Sequence, residues 1–148
     1  MSFTNKKPSE AIAVLDAISP VSQGAGTATT SWVSAANYHR LLATVMVGAF
    51  GASATVDAKI QQATSSGGAG AKDVTGAAIT QMLAAGGNNK QALINVDANA
   101  LDSENGFVFV QLSITVGTAA TLIAGLLEGF TARFEPVTQP ASVTQVIG

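Results

Sequence analysis

The sequence predicts an all-β protein, a β-sandwich of about eight strands with extended N- and C-terminal arms. Three observations carry that prediction. Several runs alternate apolar and polar residues with a period of two, as Val56, Ala58 and Ile60 do against Asp57, Lys59 and Gln61. Short turns bearing Gly, Ser and Asn separate the runs, a spacing that suits a sandwich or barrel rather than a βαβ fold. The apolar run at residues 107–127 is 21 residues long without a charge, yet it also alternates and is broken at Gly117-Thr118. It therefore reads as strand and not as a membrane-spanning helix. Within this class a jelly roll is the first choice.

Residues 1–10 read as a polar arm, with no signal peptide after them because Glu10 and Asp16 interrupt the apolar stretch. Residues 11–18 suit a strand or a short helix capped by Ser9, and Ser19-Pro20 ends them. Residues 22–30 are expected to form a flexible connection leading into Ser31-Trp32-Val33. From Tyr38 to Phe50 runs a β-forming stretch with Val45 and Val47 on one face and Leu42, Thr44 and Met46 on the other. Both faces look covered, as in a central strand. With the turn at 51–54 and the run at 56–61, it reads as a hairpin.

Residues 64–71 form an exposed Gly-Ser loop. A strand is expected around 78–82, and another where Ala92, Ile94 and Val96 alternate with Leu93, Asn95 and Asp97. A polar loop follows to Gly106, then strands at 107–116 and 122–134. The domain division is an arm and first strand at 1–30, a sandwich at 31–135 and a C-terminal arm at 136–148, where Pro136 and Pro140 stand.

Composition narrows the function. Leu, Ile, Val and Phe number 38 of 148, enough for a core, while only 11% of residues are charged against about 25% in ordinary soluble proteins. Such a chain covers its surface with Ser, Thr, Asn and Gln, or with other subunits. The net charge is −2, and no basic cluster exceeds Lys6-Lys7, which argues against nucleic-acid binding. No cysteine is present, so disulfides and thiolate metal sites are excluded.

No constellation reads as catalytic, and no cofactor is expected. His39 is the only histidine and has no nucleophile-elbow sequence to serve. It reads as a structural or interface residue. The stretch Gly67-Gly-Ala-Gly-Ala-Lys72 lacks the ending and spacing of a phosphate cradle. Residues 97–106 are rich in side-chain oxygens, but Leu101 occupies the fifth position, where a calcium loop needs a ligand. The candidate interface residues are Phe3, Trp32, His39, Arg40, Asp57, Lys59 and Arg133. Phe3 is an aromatic on a polar arm with no local core to join. Trp32 could instead fill the core. Asp57 and Lys59 share a strand face, as do Arg133 and Glu135, and could fix register with a neighbouring chain.

Four stretches resemble small virion proteins of tailed phages. They are Trp32-Val-Ser-Ala-Ala-Asn-Tyr38-His-Arg-Leu, Val56-Asp-Ala-Lys-Ile-Gln-Gln62, Lys72-Asp-Val-Thr-Gly-Ala-Ala-Ile-Thr-Gln81 and Phe107-Val-Phe-Val-Gln-Leu-Ser-Ile-Thr-Val-Gly117. The resemblance is to capsid cement or decoration proteins. It implies a jelly roll on the capsid surface of the virion that clamps neighbouring capsomers, with the major capsid protein as partner and a homo-oligomer, dimer or trimer, as the working form. It also implies that the termini extend over adjacent capsid subunits. No nucleic acid and no membrane are expected as partners. Other virion roles (neck, tail or head fibre) share this composition. A carbohydrate-binding module is disfavoured by an aromatic content of 5%, and a small hydrolase by the single histidine.

Overall fold

The structure, a computed structural model, describes residues 5–148; Phe3 lies outside them. The chain forms β1 (Ala13–Gln23), β2 (Gly26–Thr29), β3 (Val33–Ser34), β4 (Tyr38–Val47), β5 (Thr55–Ala63), β6 (Lys72–Ala78), β7 (Met82–Leu83), β8 (Lys90–Asp97), β9 (Phe109–Gly117) and β10 (Thr121–Ala132). One sheet has the order β1-β10-β4-β8. The other has the order β2-β9-β5-β6, with the two-residue β3 and β7 pairing with β9 and β5. All pairings are antiparallel.

Without the two short strands, each step along the chain changes sheet except the β5–β6 hairpin. This interleaving of two four-stranded sheets is a jelly roll. Alternation explains how the sheets close on each other. In β4, Leu41, Ala43, Val45 and Val47 are buried while Leu42, Thr44 and Met46 face outward. Opposite them, Val110, Leu112, Ile114 and Val116 of β9 and Val56, Ala58 and Ile60 of β5 complete the core. No buried side-chain polar atom lacks a partner among the described residues.

The sheets pack tightly at Gly125 of β10. A Cβ there would lie 2.8 Å from Leu112 Cδ2 and 3.2 Å from Ile114 Cδ1, both on fully buried residues. The missing side chain is therefore part of the packing.

Several expected details differ. β1 continues through Ser19-Pro20 to Gln23, because Pro20 falls in a register shift between Ile18 and Val21 on an edge strand, where no ladder hydrogen bond is lost. Residues 26–29, expected as flexible connection, pair with β9 as β2. Thr27 and Thr29 are β-formers, and the Thr27 and Thr115 hydroxyls bond across the pair at 2.9 Å. The sandwich thus begins at Ala13 and includes strands that the division at residue 31 leaves out.

β4 and β5 are not a hairpin, since they lie in different sheets. A period of two reports a strand and its faces, not which sheet it joins. The strand expected around 78–82 lies earlier, as β6, and only Met82 and Leu83 pair again as β7. Left-handed Gly76 (φ 78°) accompanies the irregular β5–β6 register.

Gly125→Val should lower stability by about 1–3 kcal/mol, the usual penalty for overpacking a filled core. A reduced urea midpoint with an unchanged slope would report it. An unchanged midpoint would mean that the sheets separate freely at this point.

Candidate interface surfaces

The two outer faces of the sandwich differ in chemistry. On the β2-β9-β5-β6 sheet, the outward positions are Thr27, Thr29, Gln111, Ser113, Thr115, Asp57, Lys59, Gln61 and Asp73, a polar carpet. Lys59 pairs with Asp73 at 2.9 Å, and Gln61 donates to Asp73 at 3.0 Å. Those two contacts hold the Asp73 carboxyl below the usual carboxylate range. Asp57 accepts a hydrogen bond from Gln81 at 2.8 Å. Asp57 and Lys59 do share a face, but each bonds to a different neighbour within the chain.

On the β1-β10-β4-β8 sheet, the outward positions form an uncharged band. In register across it lie Leu122 and Ala124 of β10, Met46 of β4 with Gln91 of β8, and then Leu126, Thr44 and Leu93. Val21 of β1 adjoins them in a shallow groove of about 520 Å³, which Met46, Leu122 and Gln91 also line. Eight large apolar side chains are exposed among the described residues; three are on this face, Leu93 (61%), Met46 (50%) and Leu122 (48%), and Val21 (42%) stands at the β1 edge of the groove. Charge on this face is confined to Glu128 of β10 and to one end, where Arg40 and Asp97 pair at 3.6 Å; Lys90, in register with the buried Val47, belongs to the opposite face of β8.

Glu128 sits outward on β10 between Val14 of β1 and Leu42 of β4. Burial among these neighbours pushes its carboxyl above the usual range.

The C-terminal segment folds back over the start of β1. The Gln139 side-chain amide donates to the carbonyls of Ser9 (2.9 Å) and Ile12 (2.7 Å), and its oxygen accepts from Val14 N–H (2.9 Å). Val137 N–H donates to Glu10 O at 2.9 Å, and Lys6 pairs with Glu135. Beyond Pro140 the anchorage thins to Lys7 bonding Gly148 O and one local turn. Phe134, Val146 and Ile147 of this segment are exposed. With Leu93, Met46, Leu122 and Val21 they make up seven of the eight.

The remaining expected interface residues fall at the end of the sandwich where the termini lie. His39 and Arg40 are exposed at the start of β4. Arg133 is committed internally, with Nε donating to Ala36 O and N–H to Asn37 O, both at 2.8 Å. Trp32 is half-buried and packs neither in the core nor against open solvent. It covers the loop at 64–71, where a Cβ on Gly68 would meet its Nε1 at 2.5 Å. Lys72 stands 4.0 Å above the Phe107 ring and bonds Asp102, holding that carboxyl below its usual range. The oxygen-rich stretch at 97–106 spends its carboxylates the same way, since Asp97 accepts from Asn99 N–H and Asp102 from Asn105. Met46, Leu93, Leu122 and Gln139 were not singled out from sequence. Met46 lies on a face expected to be covered, Leu93 sits in the alternation beside Asn95 and Asp97, and Leu122 and Gln139 carry no such signal.

No family model matches the chain, and no curated protein matches it. No helix among the described residues is long and apolar enough to cross a membrane. Fold and surface together define a jelly-roll domain with one polar outer face and one uncharged, largely apolar outer face.

Gln139→Ala should release residues 133–148 and raise their cleavage by protease, because three backbone contacts depend on one side chain. An unchanged cleavage pattern would show that Val137 and Lys6 suffice. Glu128→Gln should raise the melting temperature at pH 7. A carboxyl whose pKa is raised on folding is penalised only where the unfolded chain is ionised. The gain should therefore vanish as pH falls below about 4, under the unfolded value. A gain that persists at pH 3 would locate the effect elsewhere.

Proposed function

We propose that this chain is a structural, non-enzymatic subunit of a tailed-phage virion. In this reading it is a decoration or cement protein that binds the outer capsid surface and stabilises contacts between capsomers of the major capsid protein. The observation that carries the reading is the uncharged outer face of β10, β4 and β8. Three large apolar side chains, Leu93, Met46 and Leu122, stand in water there, on a chain with few charges to keep it soluble. A subunit whose working state is an assembly accounts for both facts.

The exposed Phe134, Val146 and Ile147 give the reading a second support. A terminal segment held by a few hydrogen bonds can exchange its resting place for a neighbour's surface, and many copies on one shell offset the ordering cost through avidity. The sequence resemblance to decoration proteins points the same way.

Purified chain mixed with phage shells that lack it should saturate them at hundreds of copies and raise their resistance to heat. Saturation at about six or twelve copies would instead indicate a ring at the neck or tail. No binding would overturn the virion reading.

A further inference from the structure

Three of the four sheet edges are blunted against a further strand. On β1 the Gln139 side chain holds Val14 N–H, and Pro20 stands at a register shift. β2 and β3 have four and two residues. β6 pairs irregularly with β5, carries the left-handed Gly76 and begins with Lys72 and Asp73. β8, the fourth edge, has none of these devices. Its eight residues pair with β4 in unbroken register, without proline, glycine or bulge. Among the described residues, no backbone group of 90–97 bonds beyond β4. The side chains of Gln91, Leu93, Asn95 and Asp97 are exposed. Such an edge presents a row of unpaired N–H and C=O groups, and an extended strand is what satisfies a row of that kind.

We infer that the strand is β8 of a second copy, antiparallel about a two-fold axis that passes Ile94 at right angles to the sheet. The sheet then runs unbroken through both copies. The inference concerns the edge of the sheet and stands apart from the virion reading.

The self-match of β8 names the occupant. A strand that meets its own copy antiparallel sees its sequence in reverse, with each residue opposite one on the same face of the sheet. About Ile94, the core-side residues match apolar to apolar: Ile94 meets Ile94, and Ala92 meets Val96. On the outer face Leu93 meets Asn95, and Gln91 meets Asp97. The Gln91 amide can donate to that carboxylate, which is bound only loosely to Arg40 at 3.6 Å. Lys90 falls opposite Ala98, past the end of the strand, so neither charge of β8 opposes its like.

The test is sedimentation of the full chain from about 1 to 100 µM, a range that brackets a micromolar pair, with amide hydrogen exchange followed over the same range. The wild-type chain should reach the mass of two chains. As it does, alternate amides of β8 should exchange more slowly, because an outward edge N–H is protected when a strand pairs with it. Gln91→Glu should weaken the pair by about fivefold or more, since it sets a like charge opposite Asp97 twice. Gln91→Lys should strengthen it by a similar factor. Ser22→Lys, at the far edge of the same sheet, should leave it unchanged and so separates a local contact from an effect of net charge.

A single-chain mass at every concentration would overturn the inference. So would a pair whose β8 amides exchange as fast as in the single chain, which would have joined by another surface. Gln91→Glu and Gln91→Lys acting alike would overturn it too. A pair that forms on this edge and ignores phage shells would defeat the virion reading and leave this inference standing.

Discussion

The packing of β9 against β10 is the contact on which the rest of the molecule depends. Each is an inner strand of its sheet, and they meet where Leu112 and Ile114 reach over Gly125. Interior close packing leaves little slack, so this contact sets the separation of the sheets. Because Ile123, Gly125 and Leu127 must point inward, the alternation of β10 obliges Leu122, Ala124 and Leu126 to point outward. The same holds on β4, where Val45 and Val47 inside put Thr44 and Met46 outside. The apolar outer face is thus a separate property of the sequence. A lone domain could have carried polar residues at those positions, and β5 does so with Asp57, Lys59 and Gln61.

That contrast gives the scarcity of charge a location. The chain's charges are not spread evenly, for they gather on the outer face of β5 and β6, at the ends of β8 and around the termini. Surface pairs of this kind contribute little to stability. Their effect is better sought in orientation, since they mark which surfaces tolerate water and which edges could steer a partner. The uncharged band lies between such markers.

Much of this was legible in the sequence, and the remainder was hidden for physical reasons. Alternation located β4, β5, β8, β9 and β10 and assigned their faces, because a half-buried strand has to alternate. It could not say that β4 and β5 belong to different sheets, since a sheet-crossing connection and a hairpin can share the same turn residues. β2 was missed because a four-residue edge strand of Gly, Thr and Ala buries too little to leave an apolar signature. β1 was cut short at Pro20 because the edge position that tolerates proline is a tertiary fact. Trp32 posed a choice between core and interface. It took neither place, because its partner is the absent side chain of Gly68, some 36 positions away.

The apolar run at 38–50 carries the sharpest lesson for the candidate site. Apolar residues on both faces of a strand mean that both are covered, and the inference from Leu42, Thr44 and Met46 to a covered face was physically sound. What sequence could not supply is the cover. In a doubly wound fold, helices of the same chain would lie there. This chain has no such layer among its described residues, because its helical pieces are single turns. On the proposed reading, the apolar signature on the outside of β4, repeated by Leu93 on β8 and Leu122 on β10, is core sequence whose other half belongs to a neighbour. Viewed so, the 47% apolar content and the 11% charged content are one observation. On that reading, association completes what folding leaves exposed.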